Sequence, residues 1–240
     1  MSVFQFKYFS VNQSRSALKV GTDAMVLGTL ISADHKKVGL DIGSGTGVLS
    51  LMVAQKNPEI SVDAVELELE SFNDCTENFI NSPWRSRLNA LALDFLEMQT
   101  EKKYDLIFTN PPFFENSQEN LEKAKTMARH TKSLPLDLLF EKVAKLLDST
   151  GSFWVILPFS AEKRAIQLAN TSGLILIDEF IIEGKPAQAV RIVFHFQHAT
   201  KDKNDKSAEV NMHTFLIRNA DNSYSNQYKK ATAAFHNREV

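Results

Sequence analysis

The chain has 240 residues, of which 43% are hydrophobic and 23% charged, with a formal net charge of −2. This balance is ordinary for a globular protein and argues against wholesale disorder. The apolar runs are far shorter than the roughly 20 residues of a membrane span, and the amino terminus lacks a signal-peptide pattern. The single cysteine, Cys75, excludes a disulfide or a cysteine-based metal cluster within these residues. We therefore expect a soluble, cytoplasmic protein.

The predicted secondary structure alternates between strands and helices. Short apolar or alternating runs predict strands at residues 38–42, 60–67, 88–93, 104–108, 151–157, 174–183 and 190–196. Helical periodicity predicts helices at residues 46–55, 69–80, 119–128, 135–147 and 161–170. This alternation is typical of a parallel sheet with helices on both faces, and the last two strands predict an antiparallel hairpin at its edge. We expect an α/β fold with a mostly parallel seven-stranded sheet, in which residues 1–37 form an arm packed on a domain of residues 38–240.

A glycine-rich loop follows the first of the sheet strands and opens a helix. The segment 40–47 reads Leu-Asp-Ile-Gly-Ser-Gly-Thr-Gly, with glycines at Gly43, Gly45 and Gly47. It departs from the dinucleotide fingerprint, because the position of the third glycine holds Val48. It also lacks the Gly-Lys-Ser/Thr of a phosphate-binding P-loop. A turn that binds a ligand and a turn that binds none are both compatible with the loop alone.

Acidic residues follow three successive predicted strands. Asp41 precedes the glycines, Glu66 ends the second strand, and Asp94 with Phe95 follows the third. The carboxyl ends of parallel strands share one edge of a sheet, where open α/β sheets bind ligands. There Glu66 can accept ribose hydroxyls, Asp94 can meet an adenine amino group, Phe95 can cover the ring, and Asp41 suits an α-amino group. The pattern resembles that of the class I S-adenosylmethionine-dependent methyltransferases and implies their Rossmann-like fold and their cofactor.

The fourth predicted strand runs into Asn110-Pro111-Pro112-Phe113. Two successive prolines fix the backbone and remove two donors. The Asn110 side chain and neighbouring carbonyls can then accept both N–H bonds of an amino group, and Phe113 can stack on a planar base. The motif resembles that of amino-group methyltransferases, which act on adenine, cytosine or glutamine amide.

Five further segments narrow the resemblance. They are residues 4–13, 17–24, 83–84, 128–130 and 218–225. With them, the sequence resembles the bacterial tRNA1(Val) adenine-37 N6-methyltransferase family over nearly the whole chain. Membership implies methylation of adenine N6 beside the valine tRNA anticodon, and places Thr22 over the methionine end of the cofactor.

Two basic clusters are candidates for contact with an anticodon loop. They comprise Lys7, Arg15 and Lys19 in the arm, and Arg129, His130 and Lys132 after the Asn-Pro-Pro motif. The first cluster is interleaved with aromatic rings, which suits unpaired bases. The first cluster is explained equally well by a strand whose rings face the core, and the second by a solvated helix end.

Three alternatives to this function remain. A glutamine-amide methyltransferase usually has tyrosine after the prolines, and a DNA adenine methyltransferase usually has a larger recognition insert. A non-catalytic RNA-binding module would not need the complete set of loop, acids and Asn-Pro-Pro. The histidines show no metal-ligand spacing, and we expect no metal, no membrane association and no obligate protein partner.

Overall fold

A computed structural model describes residues 3–16, 19–112, 134–199 and 209–236. Its strands are β1 Val3–Gln5, β2 Ser10–Asn12, β3 Val38–Ile42, β4 Ser61–Glu66, β5 Leu88–Ala92, β6 Tyr104–Thr109, β7 Leu147–Pro158, β8 Leu174–Lys185, β9 Gln188–His198 and β10 Asn211–Leu216. Its helices are α1 Thr22–Leu30, α2 Val48–Lys56, α3 Leu69–Ile80, α4 Leu136–Leu146, α5 Glu162–Thr171 and α6 Asn226–Thr232. The helix predicted at residues 119–128 lies outside the described residues. Across the described ranges, no helix is both long and apolar enough to cross a bilayer.

The main sheet confirms the predicted α/β class. Its strands lie in the order β10-β8-β9-β7-β6-β3-β4-β5, and β1 and β2 form a separate antiparallel pair. All neighbours in the main sheet are parallel, except that β9 runs antiparallel to both β7 and β8. The β8–β9 hairpin is therefore the predicted antiparallel element.

The sheet has eight strands in the described chain rather than seven, and the hairpin does not form its edge. Strand β10 pairs in parallel with β8 and lies outside it. Strand β10 was not predicted, since only Phe215 of its six residues is buried. A strand with one buried side chain lacks the alternation by which a half-buried strand is recognised.

Helices cover the sheet on both faces and enclose two hydrophobic cores. Strand β7 contributes Trp154 and Ile156 to the first core and Phe153 and Val155 to the second. This alternation follows from the two-residue period of a strand. Helices α1, α2 and α3 pack on the first core, and α4 and α5 on the second. Because both faces are covered, residues 153–157 of β7 form one continuous apolar run in the sequence.

The amino-terminal segment packs against the first core. Phe6 and Phe9 are 2% and 7% exposed, and their rings stack with centroids 4.3 Å apart. The Phe9 ring also meets the edge of Trp84 at 5.5 Å. These two rings therefore serve in packing, whereas Tyr8 is 58% exposed.

Candidate active site

The carboxyl ends of four neighbouring strands form one edge of the sheet. Ile42 at the end of β3 is in register with Val65 of β4 on one side and with Thr109 of β6 on the other. From β3 the chain proceeds outward through β4 and β5, and then returns to the opposite side of β3 as β6. Such a reversal of strand order opens a crevice at the carboxyl ends, where α/β proteins bind their ligands. Asp41, Glu66, Asp94 and Asn110 lie at or just after the ends of these four strands.

The glycine loop adopts a backbone that only glycine tolerates easily. Gly43, Gly45 and Gly47 have φ angles of 68°, 55° and 78°. A Cβ atom at Gly43 or Gly45 would meet nothing within 4 Å, so these two residues border open space. At Gly47 a Cβ would lie 2.5 Å from the Phe79 ring. The first two glycines therefore leave room for a ligand, and the third allows close packing against α3.

Asp41 is a fully buried carboxylate with one free oxygen. Its Oδ2 atom accepts hydrogen bonds from the Ser50 hydroxyl at 2.7 Å and the Ser50 backbone N–H at 3.2 Å. Its Oδ1 atom has no hydrogen-bond partner among the described residues. Burial raises the pKa of Asp41 to about 7, although the bonds from Ser50 act in the opposite direction. A buried, unpartnered carboxylate oxygen fits a ligand that carries a cationic amino group.

Glu66 connects the end of β4 to the glycine loop. Its two carboxylate oxygens accept the backbone N–H of Gly45 at 2.7 Å and of Glu68 at 2.8 Å. Burial raises the pKa of Glu66, and these backbone bonds lower it in part. Since each carboxylate oxygen can accept more than one bond, Glu66 retains acceptor capacity for a diol.

Asp94 and Phe95 form the turn that follows β5. The Asp94 carboxylate accepts the Leu96 backbone N–H at 2.9 Å and so caps a short 3₁₀ turn. Phe95 is 4% exposed and belongs to the second core, which favours a packing role for its ring over the predicted open cover of an adenine.

Lys142, on α4, holds this turn in place, and this role was not predicted from the sequence. Its ammonium group donates to the Leu96 and Met98 carbonyls at 2.8 and 2.7 Å and lies 5.4 Å from the centre of the Phe95 ring. A lysine on an amphipathic helix, distant in sequence from the turn, gave no signal for this contact.

The Asn-Pro-Pro segment begins at the end of β6, next to the glycine loop. The Thr109 hydroxyl donates to the Ile42 carbonyl at 2.7 Å and joins the two strand ends. Pro111 is buried, and Asn110 and Pro112 are half-buried. Phe113 lies outside the described residues.

Thr22 begins α1, and the neighbouring Asp23 carboxylate pairs with the Arg191 guanidinium of β9 at 2.9 Å. This ion pair joins the first turn of α1 to β9 beside the end of β7, where Arg191 is in register with Pro158. This ion pair could not be predicted from the sequence, because the two residues are 168 positions apart.

The basic residues of the arm have different surroundings. The Arg15 side chain pairs with Asp74 at 2.7 Å and with Glu77, and the Lys19 ammonium donates to the Gln13 and Ser16 carbonyls. These side chains are thus engaged within the protein, and their contact with RNA stays a prediction.

Lys7 is exposed, with its ammonium group 5.4 Å from the centre of the Tyr8 ring. The predicted second cluster, Arg129, His130 and Lys132, lies outside the described residues. Within the residues that the structure describes, no group of three histidine, cysteine or acidic side chains is arranged to hold a metal ion.

Comparison with known proteins identifies the family. The family model for the methyltransferase small domain matches residues 11–170. Two proteins named tRNA1(Val) (adenine(37)-N6)-methyltransferase are similar over most of their length. The one from Christiangramia forsetii is 36% identical over 88% of this chain and 92% of its own. The one from Flavobacteriaceae bacterium strain 3519-10 is 34% identical over 98% of this chain and 99% of its own.

Solved structures agree on the fold. A predicted O-methyltransferase from Agrobacterium tumefaciens superimposes with a TM-score of 0.66 at 14% identity, covering 89% of this chain and 96% of that one. A putative class I S-adenosylmethionine-dependent methyltransferase from Listeria monocytogenes gives a TM-score of 0.59 at 15% identity. The match covers 80% of this chain and 62% of that one. These likenesses establish a class I methyltransferase fold, and the sequence relatives establish the narrower group. The chain belongs to the tRNA1(Val) (adenine(37)-N6)-methyltransferase family.

Proposed function

We propose that the protein transfers the methyl group of S-adenosylmethionine to the exocyclic N6 of adenine 37 in tRNA1(Val). The observation that carries the proposal is the junction of two motifs at one sheet edge. The Asn110-Pro111-Pro112 segment follows β6 directly, and the Thr109–Ile42 hydrogen bond of 2.7 Å ties that strand end to the glycine loop. A methyl donor on the loop and an amine on the motif would therefore be neighbours. The names of the sequence relatives supply the substrate.

The residues around the crevice fit the cofactor. S-Adenosylmethionine supplies an electrophilic methyl group on a positively charged sulfur. The free oxygen of Asp41 would accept its α-amino group, and Glu66 would accept the ribose hydroxyls. Gly43 and Gly45 leave the space at the loop that a close ligand needs. Thr22 would cover the methionine end, and Asp94 would accept the adenine amino group.

The target amine would be bound by Asn110 and the Pro111 carbonyl. Accepting both N–H bonds localises the lone pair of the adenine nitrogen, which is otherwise delocalised into the ring, and directs it at the methyl carbon. The N6 nitrogen attacks that carbon, the carbon–sulfur bond breaks, and one N6 proton is then lost to solvent. No general base is needed before transfer. Pro112 fixes the backbone of the segment, and Phe113 would stack on the flipped base.

We infer that the tRNA anticodon loop is the partner and the cytoplasm the location. The exposed Lys7 and Tyr8 lie side by side at the tip of the β1–β2 pair and offer a cation and a ring to a single-stranded loop. Arg15 and Lys19 remain candidates for phosphate contact, as do Arg129, His130 and Lys132. In this arrangement residues 1–37 act as an arm on the methyltransferase domain 38–240, which the burial of Phe6 and Phe9 in the first core supports.

The Asn110→Ala variant tests the reaction. Because it removes one acceptor of the target amine but none of the cofactor, we expect methyl transfer to fall about 100-fold through lost orientation. Affinity for S-adenosylmethionine should stay within about twofold, a difference well under 1.4 kcal/mol. The measurements are transfer of labelled methyl groups to tRNA from a strain lacking this modification, and cofactor binding by calorimetry. Wild-type turnover in the variant would remove Asn110 from the mechanism, and label on protein glutamine or DNA would overturn the substrate.

A further inference from the structure

One face of helix α3 binds the amino-terminal arm through a buried amide. Asn78 is 3% exposed, and its Oδ1 atom accepts the Asn12 backbone N–H at 2.7 Å. Its Nδ2 atom donates to the Asn12 carbonyl at 2.8 Å and to the Thr46 carbonyl at 2.9 Å. Thr46 lies between Gly45 and Gly47 in the glycine loop. A single side chain thus holds the arm and the loop at the same time.

One helical turn earlier, Asp74 fastens the next part of the arm. Its Oδ2 atom accepts the backbone N–H groups of Arg15 at 3.0 Å and Ser16 at 2.8 Å. The Ser16 hydroxyl and the Arg15 guanidinium bind the same carboxylate at 3.0 and 2.7 Å. Burial raises the pKa of Asp74, but the bonds from Ser16 and Arg15 outweigh it and hold the pKa below its ordinary value. Residues four apart share a helix face, so Asp74 and Asn78 form one continuous contact with residues 12–16.

We propose that Asn78 is a positioning residue that couples docking of the arm to the shape of the glycine loop, so that affinity for S-adenosylmethionine depends on the arm. The inference rests on the proposed function for the identity of the ligand. Three of the four hydrogen-bonding positions of the Asn78 amide are in use, which fixes the orientation of the amide. Undocking of the arm would leave a buried donor and acceptor unsatisfied beside the Thr46 carbonyl.

This coupling acts in both directions. A ligand that favours the loop conformation must favour arm docking by the same factor. The docked arm leads on to Thr22, which the proposed function assigns to the methionine end of the cofactor. Cofactor binding and arm docking are therefore expected to strengthen each other.

The Asn78→Asp variant breaks the donor contacts to the arm and to the loop with almost no change of shape. The new carboxylate keeps an acceptor for the Asn12 N–H, but it loses the donors to the Asn12 and Thr46 carbonyls and sets oxygen against oxygen. We expect the Kd for S-adenosylmethionine to rise about tenfold, while kcat at saturating cofactor changes less than about twofold. The matched control is Asn73→Asp on the same helix, since Asn73 is half-buried and its side chain makes no hydrogen bond in the described chain. The control should bind the cofactor like the wild type.

Hydrogen exchange of residues 10–16 distinguishes positioning from a merely structural role. We expect S-adenosylmethionine to slow exchange of this segment in the wild type and in Asn73→Asp, but not in Asn78→Asp. If Asn78→Asp does not fold, Arg15→Met weakens docking of the arm instead. It removes the guanidinium contacts with Asp74 and Glu77 and leaves the Asn78 contact with the loop unchanged, and the Kd should rise about threefold.

Unchanged cofactor affinity in a folded Asn78→Asp protein, or in Arg15→Met when that is the variant used, overturns the inference. The inference is also overturned if S-adenosylmethionine does not slow hydrogen exchange of residues 10–16 in the wild type. Cofactor binding without methylation of tRNA contradicts only the proposed substrate and leaves the coupling intact. A wild-type protein that does not bind the cofactor contradicts the proposed function and the coupling together.

Discussion

Asp41 and Asp74 are both fully buried carboxylates on the same side of the sheet, yet their surroundings are opposite. Asp41 receives bonds only from Ser50 and keeps one oxygen without a partner in the described chain. Asp74 receives four hydrogen bonds from Arg15 and Ser16. Burial raises the pKa of Asp41 to about 7, whereas the bonds to Asp74 overcome the effect of burial and lower its pKa.

The difference separates a binding group from a structural one. A buried charge with an unused acceptor is unfavourable for the free protein and is stabilised when a cationic donor arrives. A buried charge with its acceptors satisfied instead stabilises the fold that satisfies them. Mutation should therefore affect ligand binding directly at Asp41, and stability at Asp74, where a loss of affinity follows only through release of the arm.

The largest effect on cofactor affinity is expected from Asp41→Asn. The variant keeps the shape of the side chain but removes the charge, so affinity for S-adenosylmethionine should fall about 50-fold through loss of a charge-assisted bond. The free energy of unfolding should not decrease, because a buried unpaired charge is removed. Calorimetry and urea denaturation measure the two quantities. A destabilised variant with unchanged affinity would reverse the assignment.

Asp74→Ala should produce the opposite result. It leaves the buried N–H of Ser16 and the Arg15 backbone without their acceptor, and we expect the free energy of unfolding to fall by about 2–3 kcal/mol. Urea denaturation measures the loss. Glu77→Ala is the control on the same helix face: Glu77 forms an exposed ion pair with Arg15, with its side chain 45% exposed. Such a pair contributes under about 1 kcal/mol. Equal losses in the two variants would contradict the role given to Asp74.

The smallest effect is a pH dependence that differs between the two carboxylates. Since the pKa of Asp41 is raised to about 7, the free protein holds its proton at pH 6 and has lost it at pH 8. Affinity for the cationic cofactor should thus rise up to about tenfold between these values. Asp41→Asn is the matched control, because titration of the cofactor itself is common to both proteins. An equal pH dependence in the variant would show that Asp41 is not the titrating group.

The contributions of Asp41 and Asp74 to the free energy of unfolding should change in opposite directions as the pH rises. Between pH 3.8 and about 7 the folded chain retains a proton on Asp41 that the unfolded chain has lost, so the contribution of Asp41 to stability falls as pH rises through this window. The contribution of Asp74 is complete above pH 3.8 and is lost as pH falls through its lowered pKa. Urea denaturation from pH 4 to 8 in the wild type and Asp41→Asn checks the first of these changes.

The sequence was most informative where function depends on one short segment. The glycine loop, the acids at the ends of β3 and β4 and the acid after β5 could be placed at one edge, since parallel strands end together. Asn110, which follows β6, could be placed at the same edge for the same reason.

Features that depend on distant contacts could not be predicted. The Asp74–Arg15 contact joins residues 59 positions apart, and neither side chain carries a motif. Arg15 therefore reads in the sequence as a free cation. Strand β10 was missed because its polar, exposed residues show no alternation, and the burial of Phe95 depends on α4, which packs over it from elsewhere in the chain.

The most direct test of methyl transfer to adenine 37 uses two transcripts of tRNA1(Val) that differ only at position 37, one with adenine and one with guanine. Each is incubated with the protein and methyl-labelled S-adenosylmethionine, and nucleosides are analysed after digestion. We expect N6-methyladenosine from the adenine transcript alone, with about one methyl group per tRNA at completion, since orientation restricts transfer to the bound amine. Equal labelling of both transcripts, or labelling of neither by a protein that binds the cofactor, would contradict it.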